Sequence, residues 1–249
     1  MEKQLILFDL DGTLAHSKCA MTLEMAALIE ELLKRYSVAI MSGGAYPQFE
    51  KQLLGSLPLP DELLTKLYLF PTSGTSFYKY LDRKWVKIYA EELQPSEKKK
   101  ILDAFKSCLK EMGFEIPKHP PYGEILEDRQ TQITFSALGQ SAPINLKKKW
   151  DPNHLKRLEM MEILQQDLPE FEIRSGGSTS IDITYKNRDK AYGVQQIEKY
   201  LGFAKNQILF IADSIFPGGN DWAVKVAGVE SWETTGPEMT MDLIKKLLS

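Results

Sequence analysis

An apolar run near the start of the chain ends on two carboxylates one residue apart, in Leu5-Ile6-Leu7-Phe8-Asp9-Leu10-Asp11-Gly12-Thr13. In an extended chain alternate residues share a face, so Asp9 and Asp11 can point the same way while the loop backbone completes a small polar nest. Two carboxylates at that spacing repel each other unless a cation lies between them. A hard Mg²⁺ ion, which takes oxygen ligands, suits the position. The plain alternative for any D-x-D-G is a strand followed by a polar turn. The full F-D-x-D-G-T at the start of an α/β chain is more specific than that.

Three further motifs carry residues of matching chemistry. Ser42-Gly43-Gly44 offers a hydroxyl and backbone N–H groups, donors for phosphoryl oxygens, although many such triplets are ordinary turns. Lys190 opens the stretch "KAYGVQQIEKYLG", where a cation opposes the helix dipole. An anion beside it accounts for the charge better than a solvated surface does. The segment "FIADSIFPGGND" runs from a strand to Asp213, then through a glycine-rich loop to Asn220 and Asp221. Asp213 is placed to complete a metal shell with Asp9 and Asp11, and Asn220 and Asp221 to support it.

These residues need a scaffold that brings strand ends together. "QLILF" reads as a buried parallel strand, being apolar throughout rather than alternating. "TLEMAALIEELLKRY" has helical spacing with Thr22 as cap, "SVAIMSGG" reads as a second strand, "PQFEKQLLGSL" as a helix and "LYLFPTSG" as a third strand. That is the rhythm of a doubly wound parallel sheet, in which ligands bind beyond the carboxyl ends of the strands. The rhythm breaks near residue 80. A hairpin turning at Asp82-Arg83, a helix at 96–113, strands around 124–139 and 179–185 and a helix at 152–168 predict an inserted α+β module. The α/β pattern resumes with a helix at 190–201, the strand "QILFIAD" and a last helix ending in "MDLIKKLLS". The expected division is a core of residues 1–81 and 187–249 with a cap of residues 82–186.

The bulk composition sets limits. The 249 residues are 43% hydrophobic and 26% charged, ordinary for a globular chain. A formal charge of −3 gives no electrostatic reason to expect nucleic acid or an anionic membrane as partner. Two cysteines, Cys19 and Cys108, make a disulfide framework implausible and suit a reducing compartment. With no apolar run near the roughly 20 residues of a membrane span, a cytoplasmic location is expected. The three histidines are scattered, without the spacing of a zinc site. The lysine runs at 98–100 and 147–149 read as solvated faces.

The order "FDLDGTL", "SGG", "RDKAYG" and "DSIFPGGND" resembles the haloacid dehalogenase superfamily of phosphotransferases. The resemblance implies that Asp9 is the nucleophile that becomes an aspartyl-phosphate, and that Asp11 is acid and base. It further implies that Lys190 steadies the phosphoryl group and the nucleophile, and that Mg²⁺ is the cofactor. Within the superfamily the "PGGND" spelling and "EFEIRSGGSTSIDI" resemble the cap-bearing, eukaryotic-type phosphomannomutases. That likeness spans nearly the whole chain. It places Arg129 in one substrate-gripping arginine position and Ser180 and Asp182 among the sugar contacts, and it leaves open a monomer or a cap-mediated homodimer.

Departures from the pattern bear on the reaction. Gln140 and Lys147 stand where the family carries cap arginines, Lys18 replaces a core-side arginine, and Ala45 replaces the serine after the glycines. Ser42, ahead of the glycines, is nearer the spelling of cap-bearing sugar phosphatases. Arginine grips phosphate with a planar fork, lysine is a point charge and glutamine is neutral. A mutase must hold a bisphosphate while it reorients, so a weaker cap favours water as the acceptor. The expectation is therefore a Mg²⁺-dependent phosphohydrolase of a sugar phosphate or similar small phosphomonoester. The alternative is a phosphomannomutase or phosphoglucomutase with the same core chemistry. A non-catalytic scaffold is disfavoured, since competent residues fill every expected catalytic position.

Overall fold

The computed structural model describes residues 2–249, which divide into two units, one ending at Ala90 and resuming with Arg188–Ser249, the other Glu91–Asn187. The first unit opens with β1 (Leu5–Phe8), α1 (Leu23–Arg35), β2 (Ser37–Met41), α2 (Tyr46–Gln52), α3 (Asp61–Leu64), β3 (Leu67–Phe70), β4 (Ser76–Leu81) and β5 (Lys84–Ala90). The second holds α4 (Pro95–Glu111), β6 (Leu126–Asp128), β7 (Ile133–Ser136), α5 (Ile144–Trp150), α6 (Leu155–Asp167), β8 (Phe171–Ser175) and β9 (Ser180–Tyr185). The first unit then closes with α7 (Lys190–Leu201), β10 (Ile208–Ala212), α8 (Trp222–Val226), β11 (Glu230–Glu233) and α9 (Pro237–Leu248). Among the described residues no helix is long and apolar enough to cross a membrane.

In the first unit the strands lie in the order β11-β10-β1-β2-β3-β4-β5, the first five parallel and the last two antiparallel. β1 is apolar at every position because both faces are covered. Ile6 and Phe8 pack with Met25, Ile29 and Leu33 of α1 and Ile244 of α9. Leu5 and Leu7 face Val194 and Ile197 of α7 and Val224 of α8. Each such side chain, fully buried, contributes about 1.5–3 kcal/mol. Register aligns Phe8 with Ile40 of β2 and Ile211 of β10, so Asp9, Ser42 and Asp213 leave three adjacent strands at one edge. This α/β doubly wound core bears out the expected fold class.

Two expectations are corrected. β5 pairs with β4 from Leu81↔Lys84 to Ser76↔Ala90, so the hairpin extends the first sheet and the division falls after Ala90 rather than after residue 81. The strand-like stretch at 124–139 is two strands, β6 and β7. Gln130, at φ 70°, turns the chain between them, its N–H bound to Asp128 Oδ1.

The second unit is a four-stranded antiparallel sheet, β6-β7-β9-β8, with α4 and α6 on one face. Ile133, Phe135, Ile181 and Ile183 alternate into a core with Phe105 and Leu164. The intervening Thr134, Ser136, Ser180 and Asp182 point to the other face. A buried arginine fixes the turn that leads into β9. Arg157, 2% exposed, donates from Nε to Asp151 Oδ2 at 2.8 Å and from Nη1 to Ser175 Oγ at 2.7 Å and to the Gly177 carbonyl. Burial acts to raise Asp151, but Arg157 and the N–H groups of Lys156 and Arg157 outweigh it and hold the carboxyl below its ordinary range.

Removing one partner of such a pair strands the other charge in the interior, so Arg157→Met is expected to cost about 3–5 kcal/mol in urea unfolding at neutral pH. The lowered Asp151 adds stability that is full above its unfolded pKa of about 3.9 and is lost as pH falls through the folded value. Asp151→Asn should therefore flatten the stability profile below about pH 4; an unchanged acid limb would exclude the pair as its source.

Candidate active site

Lys190 lies at the centre of the strand-end cluster. Its Nζ stands 2.5 Å from Asp9 Oδ1 and 2.5 Å from Asp221 Oδ1, with the ring of Phe210 5.8 Å below it. All three charged groups are buried. Each arrives by a different route. Asp9 is still on the ladder, its N–H donating to the Ile211 carbonyl at 3.1 Å. Lys190 is the first residue of α7, behind the cap Asp189, whose side chain accepts from Tyr192 N–H. α7 comes close to the sheet edge because Gly193 meets Gly74, where a Cβ would stand 2.5 Å from the Gly193 Cα. Asp221 closes the glycine-rich loop, taking the Ser214 N–H on Oδ2 at 3.2 Å.

Asp213 completes an acidic triad. Asp9, Asp213 and Asp221 each offer an oxygen within 4.8 Å of the others. The Asp213 carboxylate lies against Gly12, at φ 84°, where a Cβ would come within 2.5 Å of its Oδ2. Three carboxylates, two of them buried and Asp213 half-buried, against one ammonium leave two formal negative charges, and that set of oxygen donors fits a divalent cation. Burial lifts Asp9 to about 7 in spite of Lys190, with Asp221 and Asp213 adding to the rise. Burial likewise raises Asp213, with Asp221 next in effect. Lys190 shows the opposite balance: burial acts against its charge, but Asp221 and Asp9 overcome that and raise it. Thr13 Oγ1 approaches Asp9 Oδ2 at 3.4 Å.

The Asp11 carboxylate does not join this cluster: the side chains that meet are Asp9, Asp213 and Asp221, where Asp9, Asp11 and Asp213 were the expected metal set. The chain leaves the strand after Phe8, and residues 10–15 fold into a tight loop with an Asp11↔Ala15 bridge, so simple alternation no longer holds. The Asp11 carboxylate accepts from Lys18 N–H, Lys18 Nζ, Gln48 Nε2 and Gln52 Nε2, at 2.7–3.0 Å. Burial alone would raise it, but Lys18 and Gln52 outweigh burial and hold it below the usual carboxylate range. Asp221, expected as a supporting residue, takes the place in the triad, while Asn220 lies exposed on the turn. Ser42 is buried with its Oγ facing the Gly44 N–H at 3.3 Å, so the Ser42-Gly43-Gly44 turn folds on itself next to Gln48.

The expected substrate residues of the second unit form two short polar chains. Gln140 Nε2 donates to Ser136 Oγ at 2.6 Å, and Ser136 Oγ lies 3.1 Å from Ser180 Oγ, while Lys147 Nζ donates to the Gln140 carbonyl. Thr134 Oγ1 donates to Asp182 Oδ1 at 2.7 Å. Arg129, on the β6–β7 turn, is paired with Glu127 through Nε and Nη2 at 2.9 and 2.8 Å.

The sequence model of the eukaryotic phosphomannomutase family matches residues 25–249. The chain belongs to that family. It is 24% identical to the phosphomannomutase of Schizosaccharomyces pombe over 99% of this chain and 95% of that one. Against the phosphomannomutase of Spinacia oleracea the figures are 28%, 94% and 92%, and against phosphomannomutase 1 of Homo sapiens 26%, 90% and 83%. In fold it is similar to an IMP-bound, N-terminally truncated IMP-nucleotidase of Plasmodium falciparum, with a TM-score of 0.73 at 16% identity over 99% of this chain and 68% of that one. A haloacid dehalogenase-like hydrolase from Bacteroides thetaiotaomicron gives a TM-score of 0.65 at 12% identity over 99% and 100%. The chain is a haloacid dehalogenase-type enzyme of the phosphatase and phosphotransferase kind.

Sequence reasoning missed Gln48, Gln52 and Arg157. The glutamines stand one helical turn apart directly after the Ser42 turn, and that spacing was the available signal. Lys190→Met, which leaves Asp9 and Asp221 buried without their ammonium, is expected to cost about 3–5 kcal/mol in denaturant unfolding under chelation. Adding Asp221→Asn to it should restore part of that loss; additive losses would show that the two do not share one interaction.

Proposed function

We propose that this chain transfers phosphoryl groups on hexose phosphates through an aspartyl-phosphate at Asp9, and that its net reaction is the interconversion of 1- and 6-phosphates. One observation carries the core of the reading: Asp9 meets Lys190 and two further acids at the strand edge of a phosphomannomutase-family chain. Asp9, Asp213 and Asp221 would hold Mg²⁺, which when bound screens the phosphoryl charge from the nucleophile. In the first transfer Asp11 enters protonated, the substrate oxygen having displaced donors that otherwise hold it as a carboxylate; an Asp9 oxygen attacks phosphorus, the bond from phosphorus to the sugar oxygen breaks, and the Asp11 proton goes to that oxygen. In the second, the acceptor hydroxyl gives its proton to Asp11 as it attacks phosphorus, and Asp9 leaves as a carboxylate. Lys190 keeps Asp9 oriented throughout, and the Ser42 turn supplies donors beside it.

With a second sugar phosphate as acceptor the product is a mutase product; with water it is phosphate. The relatives support the mutase over the hydrolase expected from the departures in the cap. One feature favours hydrolysis all the same. Arg129 is already paired with Glu127, and Gln140 brings no charge, so the second unit commits little positive charge to a second phosphate.

Incubation with mannose 1-phosphate, Mg²⁺ and a trace of hexose 1,6-bisphosphate is expected to yield the 6-phosphate. Free phosphate without it would assign the hydrolase instead, and Asp9→Asn should abolish either outcome. Mg²⁺ at a hundred times its dissociation constant should add about 2.7 kcal/mol to wild-type stability. Asp213→Asn should lose that increment, and if it keeps it in full the triad is not the metal site.

A further inference from the structure

Asp11 is gripped from α2 as well as from its own loop. Its Oδ1 accepts Lys18 N–H at 2.8 Å and Gln52 Nε2 at 3.0 Å, and its Oδ2 accepts Gln48 Nε2 at 2.7 Å and Lys18 Nζ at 2.9 Å. Those four donors fill the lone-pair directions of a carboxylate. A substrate oxygen therefore reaches Asp11 only where one of them yields.

The two glutamines differ in how they are held. Gln52 is 1% exposed. Its Nε2 also donates to the Cys19 carbonyl at 2.8 Å, and its own carbonyl takes the Met21 N–H at 2.7 Å. Its Oε1 is buried and accepts no hydrogen bond. Turning the amide over would set that oxygen against two acceptors, Asp11 Oδ1 and the Cys19 carbonyl, so Gln52 is locked as a donor. An apolar side chain of the same length would remove the orphaned Oε1, so the glutamine is explained by what its Nε2 holds, Asp11 Oδ1 and the Cys19 carbonyl, and not by packing alone. Gln48 is half-buried, accepts Lys18 Nζ on Oε1 at 2.7 Å and crosses Gly44, where a Cβ would stand 2.1 Å from Oε1. It and the lysine ammonium end flexible stems over Oδ2.

We propose that Gln52 is a positioning residue for Asp11. It fixes Oδ1, so that Oδ2 is the oxygen that gives its proton to the leaving sugar oxygen and takes one back from the acceptor. Gln48 and Lys18 Nζ are the donors that give way to the substrate. This rests on the reading of Asp11 as acid and base, and the test separates the two.

The full-length chain with Mg²⁺, in excess over substrate, is assayed by release of the leaving group in a single turnover, which reads phosphorylation of Asp9 and not the later step in which Asp11 takes a proton. The substrates are a hexose phosphate, whose leaving oxygen needs a proton, and acetyl phosphate, whose leaving carboxylate needs none. Gln52→Met is expected to lower the saturated rate on the sugar phosphate about 10- to 100-fold with the half-saturating concentration within about twofold, and to leave the rate on acetyl phosphate within about twofold. Gln48→Ala is expected to change the half-saturating concentration more than the saturated rate. Equal losses of Gln52→Met on both substrates, or no loss on the sugar phosphate, overturn the proposal. If that variant does not fold, Gln52→Glu keeps the shape and sets a carboxylate against Asp11; it is expected to show a selective loss at least as large, and a uniform loss overturns the proposal. Asp11→Asn must show the same selectivity. If it does and the Gln52 variants do not, only the positioning role fails; if it does not, the acid–base reading falls and the proposal with it.

Discussion

A buried ammonium between two buried carboxylates is the constraint that the rest of the first unit serves. Lys190 and Asp9 are 181 residues apart in the chain, and both lose nearly all their contact with water. Desolvating such charges costs several kcal/mol per ion, and their attraction repays it only when the geometry is held closely. The geometry here is held by three rigid parts. The ladder fixes Asp9, the start of α7 fixes Lys190, and the Ser214 N–H fixes Asp221. Glycine at 74 follows from the same demand, because a Cβ there would stand 2.5 Å from the Gly193 Cα and push α7 away from the strand ends.

The same arrangement separates the chemistry of two aspartates two residues apart. Asp9 sits in the interior with two other acids, and burial drives it up towards neutrality. Asp11 faces donors only, and with those donors in place its carboxyl is held below the usual range against the effect of burial. In the reaction proposed above, the nucleophile is thus placed where a bound cation would bring it back to the charged form. The proposed proton carrier is placed apart from that cation, under donors on flexible stems that a substrate oxygen can replace. One tight loop, residues 10–15, produces both environments by taking Asp11 off the strand.

How much of this was legible in the sequence depends on whether local pattern carried the information. β1, β2 and β10 could be read because residues covered on both faces must be apolar, and Asp9, Ser42 and Asp213 followed as their exits. Lys190 could be read because a cation at a helix start needs an explanation. The Asp11 side chain was misplaced because the alternation rule was carried two residues past Asp9, the last residue on the ladder. β5 was given to the wrong unit because a hairpin's strands do not say which sheet they extend; the pairing of Tyr68 with Lys79 decides that, and it is a tertiary fact. Gln52 and Arg157 were invisible for a related reason. Both are ordinary helix residues until a distant carboxylate or a turn carbonyl is brought to them.

Electrostatics of the second unit bears on the choice between acceptors. A bisphosphate brings a second group of charge near −2, and holding it calls for cations not already committed. Arg129 answers to Glu127, Arg174 to Glu172 at 3.6 Å, and Lys147 to a backbone carbonyl. The hydroxyl and amide chain from Gln140 through Ser136 to Ser180 is instead suited to neutral sugar hydroxyls, which both give and accept hydrogen bonds. Such a face can orient a sugar without gripping its far phosphate. If the net reaction is the mutase reaction proposed above, Arg129 must exchange Glu127 for the substrate's second phosphate, giving up one partly exposed ion pair for a planar fork on the phosphate.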